Sequence, residues 1–267
     1  YRPAMKIRLS LKKCALWFMG IIIVCGLMGS VAVVMLFYWA SRDLPDLNRI
    51  AEYKQPQATV ILARDGSMLG TLNHEKRFVI GLKDMSHFLP MSFLAAEDDA
   101  FYRHMGIDPV AIMRAAINNF RKGRQGEGGS TITQQLIKQL LLTSERSYTR
   151  KMKEAILAYD LEKTYTKDQI LTIYLNQIYL GEHAYGVEAA ARTYFGKHAS
   201  DITLAESAVI AGLPKAPSTY NPFRRPEEAK GRQMYVLGRL RDLKWITNED
   251  YAKAVAKVDA LIPEPHR

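Results

Sequence analysis

Cysteine is scarce in this chain: two residues, Cys14 and Cys25, among 267. Both lie in or beside one long apolar run, so the rest of the sequence has no disulfide framework and no thiol chemistry. Charge is missing as well, with no Asp, Glu, Lys or Arg from Cys14 to Ser41. Internal repeats and low-complexity tracts are absent. What remains beside the apolar run is long enough for one folded domain of roughly 200 residues with a sizeable core.

The uncharged run exceeds the ~20 apolar residues that cross a bilayer and is much longer than the about 7–15 apolar residues of a cleaved signal peptide. It predicts a transmembrane signal-anchor helix over residues 14–41, with Tyr38 and Trp39 suited to the membrane interface. Ahead of it, residues 1–13 form a basic tail carrying Arg2, Lys6, Arg8, Lys12 and Lys13 and no acid; just after it come Arg42, Asp43 and Asp46. The positive-inside rule then predicts a single-pass protein of the cytoplasmic (inner) membrane, N-terminus in, with the catalytic domain extracytoplasmic. The formal net charge is +10, and removing the tail's five cations leaves +5. That excess suits an anionic membrane face or a phosphate-bearing substrate, and the compartment speaks against nucleic acid.

Residues 42–56 read as a connector bracketed by Pro45 and Pro56. The β-rich runs Ala58–Leu62 and Phe78–Ile80, with Asp65-Gly66 as a turn signal, predict a small antiparallel hairpin element. From Pro90 onward the period becomes helical and the domain reads as mainly α. Asp108-Pro109 predicts an N-cap followed by proline at the first helical position, leading into Val110, Met113, Ala116, Ile117 and Phe120. Capping boxes at Thr166/Gln169, Thr203/Glu206 and Thr247/Asp250 predict three more helix starts. Lys122–Gly129, rich in glycine, reads as a mobile loop. Pro214, Pro217, Pro222 and Pro226 mark an irregular segment before a helical region from about Glu227 to Asp242.

Two segments carry residue types suited to chemistry. Glu97-Asp98-Asp99-Ala100-Phe101-Tyr102-Arg103-His104-Met105-Gly106 joins carboxylates, aromatics and a histidine, and a carboxylate beside other acids and apolar walls has its neutral form favoured. Taken alone, a solvated helix face explains it as well. In Gly129-Ser130-Thr131-Ile132-Thr133-Gln134-Gln135-Leu136-Ile137-Lys138, hydroxyls and amides open a helix whose N-terminus suits phosphate or sugar, or is simply capped. Lys138, Arg146, Arg150, Lys151 and Lys153 follow as a group of cations, with Arg150 and Glu154 at i, i+4, a spacing that a solvated salt bridge also explains.

In order, these segments resemble the motifs of the family 51 peptidoglycan glycosyltransferases. Glu97-Asp98 with Phe101, His104, Gly106 and Asp108 is similar to the first motif, Gly129–Leu136 with Lys138 to the second, and Arg150-Lys151 with Glu154 to the third. Lys167, Ile170-Leu171, Tyr174-Leu175-Asn176 and Gly186–Ala191 with Tyr194–Lys197 resemble the fourth. Leu204-Ala205-Glu206 with Ala211–Pro214 and Tyr220-Asn221-Pro222 resemble the fifth. Gln139 departs from the family's usual Asn. The resemblance covers about residues 57–245, with 246–267 as an extension, and is nearest to the N-terminal part of class A bifunctional penicillin-binding proteins. After the fifth motif no Ser-x-x-Lys and no Lys-Thr-Gly follows, so a transpeptidase domain is not expected in this stretch.

The resemblance implies a lysozyme-like fold and polymerisation of lipid II into β-1,4-linked glycan with inversion and release of undecaprenyl pyrophosphate. It makes Glu97 the general base and Glu154 the second catalytic acid. Asp98, Ser130, Thr131, Gln134, Gln135, Lys138, Arg146, Arg150 and Lys153 would bind substrate, with Asp98 also supporting the helix that carries Glu97. Phe101, His104 and Gly106 would be structural, and Asp99 solvent-facing. No organic cofactor is implied, and a divalent cation (Mg2+ or Mn2+) has room at the diphosphate. Partners would be lipid II, the growing glycan chain, the bilayer and other cell-wall synthesis proteins. A lytic muramidase and a non-catalytic membrane scaffold are the rival readings.

Overall fold

The computed structural model describes residues 11–42, 44–45, 60–62, 64–65, 68–71, 76–122, 128–141 and 148–258. The basic tail up to residue 10, nearly all of the connector, the heart of the glycine-rich loop and Arg146 lie outside the described residues.

The first described element is helix α1 (Leu11–Ser41). Strands β1 (Val60–Leu62) and β2 (Met68–Thr71) pair antiparallel, Val60 opposite Thr71 and Leu62 opposite Met68. Phe78–Ile80, expected as a strand, has no regular structure. The reason is local: the Ile80 amide donates to Asn176 Oδ1 at 3.0 Å and its carbonyl accepts from Asn176 Nδ2 at 2.9 Å, so one side-chain amide replaces a strand partner. The strand in this region is instead β3 (Lys76–Arg77), which runs parallel to β4 (Ala184–Tyr185).

The remaining elements are helical: α2 (Phe88–Glu97), α3 (Pro109–Lys122), α4 (Ile132–Leu141), α5 (Tyr148–Thr164), α6 (Lys167–Gln177), α7 (Val187–Phe195), α8 (Leu204–Gly212), α9 (Pro226–Asp242) and α10 (Asn248–Val255). Their starts follow from short-range hydrogen bonding. Asp108 Oδ1 accepts from the amides of Val110 and Ala111, satisfying donors that the first turn of α3 leaves free. Thr166/Gln169, Thr203/Glu206 and Thr247/Asp250 each form the reciprocal capping box.

Helix α8 is the centre of the domain, buried along its whole length. Helices α2 and α9 pack on it, and α10 closes the same side. Where α2 crosses α8, Ser92 Oγ and Ser207 Oγ meet at 2.8 Å, and Gln233 of α9 donates to the Ala205 carbonyl at 2.9 Å, so the few polar groups in this core are paired. A second layer forms where α4 packs against α5 and α6. The sequence reading ended the domain at residue 245, but Ala254 and Val258 belong to the same hydrophobic core. The fold therefore continues at least to Val258, with α10 packed against α8 and α9.

Candidate active site

Helix α2 ends at Glu97, and the chain leaves helical conformation at Asp98 (φ −159°, ψ 79°). Asp98 is buried, and its carboxylate accepts from the Ile132 amide at 3.0 Å and meets His104 Nε2 at 3.0 Å. One carboxylate thus joins the end of α2 to the start of α4. Gly106 has φ +79° and lies flat against α5, where a Cβ would fall 2.6 Å from the Ala158 carbonyl carbon. Glycine is required on both counts. Its carbonyl accepts from Thr131 Oγ1 at 2.6 Å. Beneath it Phe101 is fully buried, with Lys167 Nζ 4.4 Å from the ring centroid, and Lys167 also pairs with the buried Glu162 at 2.7 Å.

Thr131 and Gln134 were expected as substrate contacts. In the structure they form a capping box: Thr131 Oγ1 accepts from the Gln134 amide and Gln134 Oε1 from the Thr131 amide, both at 3.1 Å. Both are 2 % exposed, and Thr131 is also among the residues lining the cleft. The T-x-x-Q spacing was the sequence signal for the capping box. Asp99 departs from expectation. It pairs with Arg239 of α9 instead of facing solvent, because α9 crosses the end of α2.

A cleft of about 780 Å3 opens over the end of α2. Glu97, Ser130, Gln135 and Lys138 line one side, and Lys215, Tyr220, Arg232, Tyr235 and Arg239 the other, with Arg114 of α3 completing the rim. Gln135 Nε2 donates to Glu97 Oε2 at 2.9 Å, and Arg232 stands 3.4 Å from Oε1. Burial, the largest influence, raises the Glu97 pKa above the usual carboxylate value. The Gln135 hydrogen bond and the charges of Arg232 and Lys215 offset it only in part, and Asp98 adds to the rise. Glu97 therefore has the environment of a proton-transfer group.

Glu154 is buried on α5, and both its oxygens are engaged: Arg150 Nη1 at 3.0 Å on one and Lys151 Nζ at 2.9 Å on the other. Lys151 Nζ also donates to Ser130 Oγ at 2.7 Å, which ties this ion-pair group to the cleft wall. Burial of Glu154 excludes the solvated-face reading of the Arg150 pair. Arg150, Lys153 and Glu154 are not themselves part of the cleft lining. Among the described residues Glu97 meets Gln135 and Arg232, not Glu154, so the two glutamates are not in contact.

Arg232, Lys215 and Arg239 were not expected from the sequence, although Arg232, Tyr235 and Arg239 fall at i, i+3 and i+7 on one face of α9. No ready-made cage of three ligating side chains stands among the described residues, and the Glu154 oxygens already hold two cations.

Comparison with known proteins gives the family of the chain. Penicillin-binding protein 1A of Aquifex aeolicus is 46 % identical over 247 residues, covering 92 % of this chain and 34 % of that protein. Penicillin-binding protein 1A of Rickettsia bellii is 46 % identical over 232 residues, covering 86 % of this chain and 29 % of that protein. The chain thus spans about a third of the length of these relatives. A crystal structure of penicillin-binding protein 1A from Haemophilus influenzae aligns over 79 % of this chain and 22 % of that one, with 28 % identity and a TM-score of 0.45. The sequence model of the Transglycosylase family matches residues 65–241, two thirds of the chain and the whole of the cleft, and the chain belongs to that family.

Proposed function

We propose that this chain is the glycosyltransferase part of a membrane-anchored enzyme that polymerises lipid II. The observation that carries the proposal is a buried, amide-bonded Glu97 in a cleft whose lining also includes the cations Arg114, Lys138, Lys215, Arg232 and Arg239. As the 4-hydroxyl oxygen of the acceptor sugar attacks the donor's anomeric carbon, its proton passes to Glu97. The bond from that carbon to the pyrophosphate oxygen breaks, and the electron pair leaves with the diphosphate. Attack from the opposite face turns the α-linkage into a β-1,4 bond without a covalent intermediate. A diphosphate leaving group needs charge neutralisation more than a proton. Lys138 on the near wall and Arg232, Lys215 and Arg239 on the far wall supply it, while Arg150 and Lys151, held by Glu154, extend the positive field behind α4.

The same reading gives α1 and α3 a role at the bilayer. Among the described residues no helix is long and apolar enough to cross a membrane. The uncharged sequence from Cys14 to Ser41 is what supports a single-pass anchor, N-terminus inside and catalytic domain outside. On α3, Met113 and Phe120 are 65 % and 90 % exposed, and Val110 and Ile117 share their face. That face is not core packing, and it suits contact with the outer leaflet that holds both substrates. A tether replaces a three-dimensional search by a local one.

The test is to supply purified protein in liposomes with lipid II and, separately, with finished peptidoglycan. Long glycan strands from lipid II are expected. Cleavage of finished peptidoglycan with lipid II untouched would make it a muramidase, and inertness toward both would make it a scaffold.

A further inference from the structure

Polar contacts continue inward from Glu97. Gln135 on α4 donates from Nε2 to Glu97 Oε2 at 2.9 Å, and its Oε1 accepts from the Tyr174 hydroxyl of α6 at 3.1 Å. Tyr174 is fully buried and stands edge-on to Phe93, ring centroids 6.1 Å apart and planes at 84°. Burial first, then the charges of Glu97 and Asp98, raise its phenol well above the ordinary value, so it remains a proton donor. A primary amide has a donor end and an acceptor end. Because the phenol proton in the core needs an acceptor, Gln135 turns its oxygen inward and its NH2 toward Glu97. The flipped amide would set a carbonyl against the carboxylate and leave the phenol proton without a partner.

We propose that Tyr174 is a positioning residue which, through Gln135, holds one oxygen of Glu97 occupied and leaves Oε1 as the atom that takes the acceptor's proton. The proposal rests on the reading of Glu97 as the base. The other groups facing Glu97 do not fix its orientation. Arg232 of α9 lies 3.4 Å from Oε1 but is shared with the Gly212 carbonyl and stacked over the Tyr235 ring at 4.4 Å. Lys215, in the turn after α8, and Asp98, the next residue in the chain, act on Glu97 through charge alone. The Gln135 amide is the one short hydrogen bond Glu97 receives among the described residues.

The experiment compares Tyr174→Phe with wild type in the lipid II polymerisation assay across pH. The ring stays, and only the hydroxyl is lost. The expected result is kcat lowered about tenfold with KM for lipid II unchanged, and the acid limb of the kcat profile moved to higher pH, because a freely rotating amide stabilises ionised Glu97 less. Gln135→Met should move the limb at least as far, and in that background Tyr174→Phe should add nothing. An unmoved limb in both single variants, or a full additional shift in the double variant, overturns the proposal. Glu97→Gln separates the two readings: if it stays active, the base assignment itself is wrong; if it is inactive while the limb stays put in Tyr174→Phe, only the positioning role falls.

Discussion

At the end of α2, Glu97 meets one amide at 2.9 Å and a guanidinium 3.4 Å away. At the start of α5, Glu154 has a short contact to a cation on each oxygen. Both side chains are largely removed from water, at 12 % and 4 % exposure. Burial raises the proton affinity of Glu97, whereas Glu154 has two cationic groups at hydrogen-bond distance. The consequence is a division of labour between the two regions. Glu154 is an anion whose lone pairs are spent on orienting Arg150 and Lys151, with Lys151 reaching on to Ser130. Glu97 lines the cleft with Oε1 held by a longer, 3.4 Å contact to Arg232, and it has a raised proton affinity, which a base requires and a structural anion does not.

The largest expected effect follows from Glu97→Gln. Polymerisation should fall by about a thousandfold, within the range for loss of a general base. Stability should move the other way. The folded-state pKa of Glu97 is raised, so the fold binds this proton more tightly than the unfolded chain does, and the ionised group costs stability at every pH above the raised value. That cost fades as pH falls through the raised value toward the unfolded value near 4.5. The glutamine variant should therefore melt at or above wild type at neutral pH and lose this advantage in acid. A variant that melts clearly lower at pH 7 would make Glu97 a structural anion and erase the contrast with Glu154.

Glu154→Gln probes the other region. It leaves Arg150, itself only 16 % exposed, without its anion, whereas the half-exposed Lys151 can turn to water. A loss of about 3 kcal/mol is expected for breaking a buried pair from one side, measurable by denaturant unfolding. Activity should fall together with stability. If the variant unfolded like wild type, Glu154 would not be the keystone of its cation group.

What could be read from sequence divides along the same line between local and distant contacts. The Asp108-Pro109 helix start and the capping boxes at Thr166, Thr203 and Thr247 are set by residues two or three positions apart, and each was legible. Glu97, Gln135 and Lys138 were singled out by their place in ordered motifs, and the structure brings all three to one cleft. Arg232 and Arg239 were not, since their partners Glu97 and Asp99 lie 135 and 140 residues away and only packing of α9 across α2 brings them together. The same crossing hides Asp99. Phe78–Ile80 failed for a related reason, because strand propensity lost to a side-chain amide from α6. The capping box of Thr131 and Gln134 had a local signal too, the T-x-x-Q spacing, which went unread beside the motif that contains it.

Thr131 offers the smallest and most specific test of how the two regions are held together. Its hydroxyl donates to the Gly106 carbonyl at 2.6 Å and accepts from the Gln134 amide at 3.1 Å, so it fixes the start of α4 against the loop that packs on α5. Thr131→Val keeps the shape and leaves a buried carbonyl and a helix-start amide unpaired, at an expected cost of about 2 kcal/mol. Thr131→Ser retains the hydroxyl and should recover most of it. The KM for lipid II should change little in either variant if Thr131 acts only on the framework. If instead Thr131→Val raised KM at unchanged stability, the hydroxyl would be a substrate contact after all, and α4 would have to be positioned by the Asp98 bond to Ile132 alone.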